Sequence, residues 1–314
     1  MKKSTKIALL VAAIFCVAGL VLCFVAWSSV DFDFRGLSTV DADSFVTRES
    51  EFEAADLRSI TMDINIDDVQ VLPSPDDKIH LTYTDRDSLK YNITNQGGTL
   101  TVEQNNKSAR FPWFNLDLGL LQDTDCILEL PEGFDGDLHI NNDLGDVTLD
   151  EITLSGALDV EVDTGSVESS DLTAKSATVQ TDMGDIVLNN WTIQQYLFLD
   201  TDTGDFTLRS STVGGDLVGQ TDLGDASLER VSAGTVDVST ETGGVTLDAL
   251  ASDQIMIETD LGDVEGSIDG VQSEYTILLK TELGDCEPDN QKGTTDKEVN
   301  AYTETGSISL QFTR

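Results

Sequence analysis

Carboxylates recur beside glycine through the C-terminal half of this chain, in nine acid-x-Gly triplets. They are Asp143-Leu144-Gly145, Asp163-Thr164-Gly165, Asp182-Met183-Gly184, Asp202-Thr203-Gly204, Asp222-Leu223-Gly224, Glu241-Thr242-Gly243, Asp260-Leu261-Gly262, Glu282-Leu283-Gly284 and Glu304-Thr305-Gly306. A second acid follows the glycine at Asp146, Asp185, Asp205, Asp225, Asp263 and Asp285. Clustered carboxylates suit two kinds of chemistry. They bind hard cations such as calcium through their oxygens, and in pairs they hydrolyse glycosidic bonds.

A structural reading competes with both: glycine supplies a positive φ, Asp caps its own turn, and both project into water. If the triplets stack, carboxylates ~5 Å apart repel by roughly 1 kcal/mol even at the dielectric of water. Salt weakens this over a Debye length of about 8 Å, and bound calcium would remove it. Known calcium-binding solenoids, however, use shorter glycine-aspartate repeats. Hydrolysis fares worse, because a catalytic pair should break the repeat locally and here every copy carries similar acids. Only seven basic residues lie between Leu138 and Arg314, too scattered for an acidic-sugar site.

Other chemistry is thinly represented. Asp63-Ile64-Asn65-Ile66-Asp67-Asp68 looks like the start of an EF-hand loop, but Asp68 stands where glycine is needed and Ser74 where glutamate is needed. Its alternation is that of a strand. With only His80 and His139 available, a histidine-based metal site is not supported. There is no nucleophile elbow, phosphate-binding glycine loop or H-E-x-x-H motif. No catalytic, cofactor-binding or metal-ligating residue is therefore assigned, no cofactor is expected, and the chain reads as a non-enzyme.

The elements that must position the triplets follow from their spacing. Successive glycines are 20, 19, 20, 20, 19, 19, 22 and 22 residues apart, a period that points to a solenoid. Apolar residues recur seven and five before the glycines (Leu197 and Leu199 before Gly204), and pairs such as Phe206 and Leu208 follow two and four after them. Threonine stands three before it at Thr181, Thr201, Thr221, Thr240, Thr259, Thr281 and Thr303. Alternation on both sides of a tight turn means two strands per repeat, each with one face inward. A second corner falls near seven after, with apolar plugs at Ile152, Leu172, Trp191, Val231 and Leu250. No single repeat can bury its own apolar face, so the stack is the core. A chain of antiparallel hairpins shares the period; the in-register threonine and glycine columns favour the solenoid.

The expected architecture is all-β: one parallel β-helix-like solenoid of about nine rungs, each of ~20 residues, over 138–314. Residues 57–137 read as irregular β strands leading into it, with an apolar insertion at 111–121 that is either a lid on the first rung or an exposed aromatic contact. Residues 28–56 read as an acidic tether. Residues 1–6 form a positive stub, and 7–27 are free of charge, long enough to span a hydrocarbon core of about 30 Å. An uncleaved signal anchor, a cleaved signal ending near Ala26-Trp27-Ser28, and a lipoprotein signal at Cys16 or Cys23 are the alternatives, the last fitting least because bulky Phe15 and Leu22 precede the cysteines. The positive-inside rule puts the lysines in the cytoplasm and everything after Trp27 outside, as a single-pass protein of the cell membrane.

The chain carries 18 Lys+Arg against 58 Asp+Glu, a net charge of -40. That excludes nucleic acid, which requires clustered cations. Cys126 and Cys286 should lie about seven rungs apart, on the order of 30 Å, and stay unpaired. The final stretch, Ser307–Arg314, has no evident cap, and an open edge there would template end-to-end self-association.

Leu128-Glu129-Leu130-Pro131-Glu132-Gly133 leads into LHINNDLGDVTL, followed by TDMGDIVL, TDTGDFTL and TDLGDASL. This pattern, over roughly residues 57–314, resembles the bacterial "putative adhesin" β-strand-repeat family, a domain of unknown function in membrane-anchored proteins. The resemblance implies a β-solenoid. Some members belong to Lia-type envelope-stress systems, where the domain senses or regulates rather than catalyses. No catalytic residues are described for the family, so none carries over. The cytoplasmic domain that some members place before the membrane helix has no counterpart here. The expected role is an adhesin-like or stress-sensing envelope module, with an envelope protein or wall polymer as partner. Polysaccharide binding or processing, and a cation-binding structural solenoid, are the alternatives.

Overall fold

The computed structural model describes residues 45–86, 89–106 and 124–314. The expected stub at 1–6, the membrane segment at 7–27 and the insertion at 111–121 lie outside them. Among the described residues no helix is long and apolar enough to cross a membrane.

Alternation dictates the architecture. In the strand Tyr196–Thr203, Leu197, Leu199 and Thr201 are buried while the residues between them face outward. After a tight turn, Phe206–Arg209 repeats the pattern with Phe206 and Leu208 inside. Each long strand pairs in parallel with its counterpart one rung away, as in Leu197↔Leu217 and Leu199↔Gly219. The short strands do the same, as in Phe206↔Ala226 and Leu208↔Leu228. Two sheets of 14 and 13 strands result, enclosing one continuous apolar core. Where the inward column has Gly219, the Phe206 ring fills the space: a Cβ there would lie 2.5 Å from it. The chain is thus an all-β solenoid of about nine turns with no α-helix among the described residues.

The second corner is built by left-handed backbone. Glu151, Asp171, Asn190, Ser210, Arg230 and Ala249 all have φ between 51° and 58°, six residues after their marker glycines. This reversal turns the next residue inward, so the plugs Ile152, Leu172, Trp191, Val231 and Leu250 are all buried. In the Gly204 rung the plug is Ser211, whose hydroxyl donates to the Arg209 carbonyl at 2.7 Å.

Three features differ from the expectation. First, the residues before 138 are not merely irregular. Ser59–Ile64 and Asp68–Pro73 form a true rung beneath the first repeat, with Ile60↔Leu138, Met62↔Ile140 and Val69↔Val147 in register. Thr99–Asn106 and Asp125–Leu130 pair on its far side, through Ile60↔Leu100 and Val69↔Cys126. Antiparallel strands Lys78–Asp85 and Leu89–Gln96 then close that end. The marker was invisible because Asp67 occupies the glycine position of this turn.

Second, the stretch expected as tether contains a strand, Val46–Glu53, paired antiparallel with Lys78–Asp85. Its single apolar anchor, Phe52, packs against the core, while its charged residues blunt an edge.

Third, the last two rungs stack in reverse chain order. Lys297–Thr305 lies between Gln254–Leu261 and Tyr275–Leu283. Ile308–Phe312 likewise lies between Val264–Ile268 and Cys286–Glu287, so the start of the C-terminal strand, Ile308 and Ser309, is paired on both sides. The terminal rung is the one carrying Gly284, and its long strand is covered. The N–H of Ile277 donates to the Gln291 carbonyl at 2.9 Å, and the Asn290 side-chain amide exchanges two hydrogen bonds with the Leu279 backbone. The two 22-residue spacings in the glycine series mark this step-over. Cys126 and Cys286 are consequently ten strand steps apart rather than seven, about 48 Å. Both are free thiols.

Candidate functional site

The marker turns stack into one continuous edge. Gly204 has φ 150°, and a Cβ on it would lie 2.0 Å from the Gly184 carbonyl oxygen one rung away. The same contact recurs along the column, so glycine is required by backbone packed on backbone, and at Gly145, Gly165, Gly184, Gly204, Gly243 and Gly306 by a positive φ as well. The carbonyls so approached are not left bare. Thr181 donates its hydroxyl to the carbonyl of Gly165 at 3.0 Å, Thr201 to Gly184 at 3.1 Å, and Thr221 to Gly204 at 3.0 Å. These threonines are buried, which explains a polar column on an otherwise apolar face.

The acid after the glycine has a defined task. Asp185 Oδ1 accepts the backbone N–H of Asp205 at 2.9 Å, and Asp205 Oδ1 accepts that of Asp225 at 2.7 Å. Asp68, Asp146, Asp225 and Asp263 do the same for Asp146, Ser166, Gly244 and Ser307. Each such carboxylate caps the turn of the adjacent rung rather than its own.

The acid two before the glycine has a different position. This column is mostly exposed and forms a row of nine carboxylates at the outer edge of the long-strand sheet. One column further in, acids and amides alternate as Glu161, Gln180, Asp200 and Gln220, which keeps like charges off directly facing positions. Burial holds the Asp200 carboxyl above the usual carboxylate range, the Gln180 amide opposes this, and Asp202, Asp222 and Asp182 add to the rise. Between the two acid columns lie the turn tips. Leu144, Met183, Leu223, Leu261 and Leu283 are each at least half exposed.

Elsewhere the polar chemistry is structural. Asp67 is fully buried and accepts hydrogen bonds from Arg86 and Tyr91, each at 2.7 Å, and from the Thr124 hydroxyl. Gln104 donates to Tyr91 and accepts the backbone N–H groups of Asn65 and Ile66. Burial pushes the Cys126 thiol up to about 12, far from the reactive thiolate range, and drives the Tyr91 hydroxyl above the usual phenol range. No sequence motif marks this cluster, because Tyr91 and Gln104 come from separate strands and Asp67, Arg86 and Thr124 from positions between strands. The EF-hand-like stretch supplies its Asp67 and is a strand–turn–strand unit.

His80 pairs with Asp76 at 2.9 Å, which raises its imidazole above the ordinary value, and His139 lies 3.4 Å from Asp159. Among the described residues no three His, Cys, Asp or Glu side chains are arranged to hold a metal ion. A shallow groove of about 330 Å³ on the short-strand sheet is lined by Thr246, Leu247, Glu265, Gly266, Ser267, Ser309 and Gln311.

Comparison with solved structures finds similar folds at low identity. One is a putative adhesin from Bacteroides fragilis NCTC 9343, 14% identical, covering 86% of this chain and 98% of that chain at a TM-score of 0.45. Another is a putative lipid binding protein from Parabacteroides distasonis ATCC 8503, 14% identical, covering 86% and 98% at 0.40. A third is a putative adhesin from Parabacteroides merdae ATCC 43184, 16% identical, covering 72% and 97% at 0.28. No curated protein matches the chain. The family model Toastrack DUF4097 matches residues 57–222, which begins at the rung hidden before the first glycine marker and runs into the fifth. The chain belongs to the Toastrack DUF4097 family.

Proposed function

We propose that this chain is a non-enzymatic interaction module of the cell envelope, held at the membrane by its N-terminal segment with the solenoid outside. One observation carries the reading: the surface groups able to do chemistry recur on rung after rung. A catalytic centre needs one place unlike the others, with mutually oriented nucleophile, base and stabiliser. A ladder of equivalent turns instead offers an elongated partner the same contact many times. An envelope protein or a wall polymer fits that description, and a sensing role in envelope stress would be exercised through the same edge. The covered terminal strand and the net charge of -40 disfavour end-to-end self-association. Cation binding is disfavoured at the capping aspartates after the glycines, each of which already commits one carboxylate oxygen, Oδ1, to a backbone N–H.

Placement outside the membrane is tested by labelling the full chain in intact cells. In a Cys286→Ser background, Leu223→Cys should react with a membrane-impermeant maleimide before lysis. Reaction only after lysis contradicts the proposal.

A further inference from the structure

The tips of the marker turns carry a second-order pattern. In spatial order they run Leu144, Thr164, Met183, Thr203, Leu223, Thr242, Leu261, Thr305, Leu283, each pairing with the next. Among the nine glycine turns the apolar and threonine tips alternate; the first rung, with Ile66 at the register position beside Leu144, does not continue the pattern. The alternation does not exist in chain order, where Leu283 directly follows Leu261 in the series of turns. It appears because the chain inserts Thr305 between them. Even the reversed rungs therefore conform to a surface with apolar posts every second rung, about 9.6 Å apart, and threonine notches between them.

The five posts are 50% to 70% exposed, and acids flank the row on both sides. On one side are the carboxylates two before the glycines, and on the other the N–H-capping aspartates. A second copy of this chain would bring acid against acid, so the charge selects a cationic occupant. The spacing selects its conformation. A polyproline II segment has three residues per turn at about 3.1 Å each, so one face repeats every ~9.3 Å. Over the four intervals from Leu144 to Leu283 the mismatch is about 1.2 Å. An α-helix repeats a face after seven residues, about 10.5 Å, and slips about 3.6 Å over the same span. A β-strand repeats every ~6.7 Å and does not match. Polyproline II also has no backbone hydrogen bonds of its own and needs none from an edge of side chains.

We propose that this ridge binds a cationic polypeptide in the polyproline II conformation. One residue in three seats in the threonine notches, and Lys or Arg at the other two positions reach the acidic flanks. This rests on the reading of the chain as an interaction module and names the chemistry of its partner.

Fluorescence anisotropy of the full-length chain with two labelled peptides tests it: four repeats of Pro-Lys-Lys, and four of Gly-Lys-Lys, equal in charge but flexible. At physiological salt the proline peptide should bind about tenfold more tightly, because its conformation is preorganised. In the double variant Leu223→Ser, Leu261→Ser the preference should fall below about threefold, since two of the five posts are lost. Both substitutions are at exposed tips, and an unchanged melting temperature verifies that the fold is retained. Equal binding of the two peptides, binding of neither, or an unchanged preference in the double variant overturns the proposal. Labelling of Leu223→Cys in intact cells does not depend on any of these results, so the broader reading stands or falls separately.

Discussion

The hydroxyl of Thr201 reaches across one rung to the carbonyl of Gly184, 3.1 Å away. That oxygen is the one a Cβ on Gly204 would strike. The threonine and glycine columns therefore solve one problem together: packing turn on turn brings a carbonyl against the next backbone, and the buried hydroxyl satisfies it.

Thr201→Val keeps the shape and removes the donor, and should cost about 1–2 kcal/mol. Gly204→Ala forces the rungs apart and should cost more than about 3 kcal/mol. Thr203→Val, at the exposed tip two residues on, should be within about 0.5 kcal/mol of wild type. Chemical denaturation of the three variants measures the order; a Thr203→Val loss equal to that of Thr201→Val contradicts it.

Asp205 separates the structural from the cation-binding reading of the acids. Its Oδ1 accepts the Asp225 N–H at 2.7 Å, a task that the amide oxygen of asparagine also performs. Asp205→Asn should be nearly neutral and Asp205→Ala should cost about 1 kcal/mol. Millimolar calcium should leave the melting temperature of all three proteins unchanged. A calcium-dependent rise in wild type that Asp205→Asn abolishes would restore the cation site.

Asp67 holds the far end together. With Arg86 and Tyr91 each at 2.7 Å in a buried setting, Asp67→Ala leaves a guanidinium without its carboxylate. The expected loss is about 3–5 kcal/mol. Denaturation reads it, and a loss below that of Asp205→Ala would show that the pair is dispensable.

Asp200 gives the pH dependence. Its carboxyl is raised in the fold, chiefly by burial, so the folded chain binds that proton more tightly than the unfolded one. The resulting stabilisation is complete below the ordinary carboxylate value and disappears as pH rises through the raised one. Asp63 shifts in the same direction, from burial and from Asp143 and Glu103. Asp200→Asn should thus be more stable than wild type at pH 7, by a few tenths of a kcal/mol, with the gain shrinking on acidification. Melting curves across that range test the sign, and a gain that grows at low pH is the wrong sign.

The repeated part of the fold was legible because its turn demands glycine. Where the constraint is met otherwise, the signal vanishes. Asp67 occupies the glycine position in the first rung, and the rung it closes was hidden among strands that looked irregular. The left-handed corner carries Glu151, Asp171, Asn190, Ser210, Arg230 and Ala249, residue types too varied to mark a turn, yet their buried neighbours were visible as plugs. Spatial order was the hardest to read. Nothing in the residue types distinguishes Lys297–Thr305 as an inner strand, and only the longer spacing of 22 residues marks where the chain steps past its neighbour. The alternation of the turn tips depends on that step and became visible only with the pairing.

Photoreactive side chains at the turn tips measure most directly whether the ridge is the working surface. Placed at Leu144, Leu223 and Leu283, and at Asn190 and Ala249 on the left-handed corner, they are irradiated with the full chain in its native cells. A ridge that binds an elongated partner gives the same adduct from all three tips and none from the corner. Adducts from the corner alone, or from a single tip, contradict it.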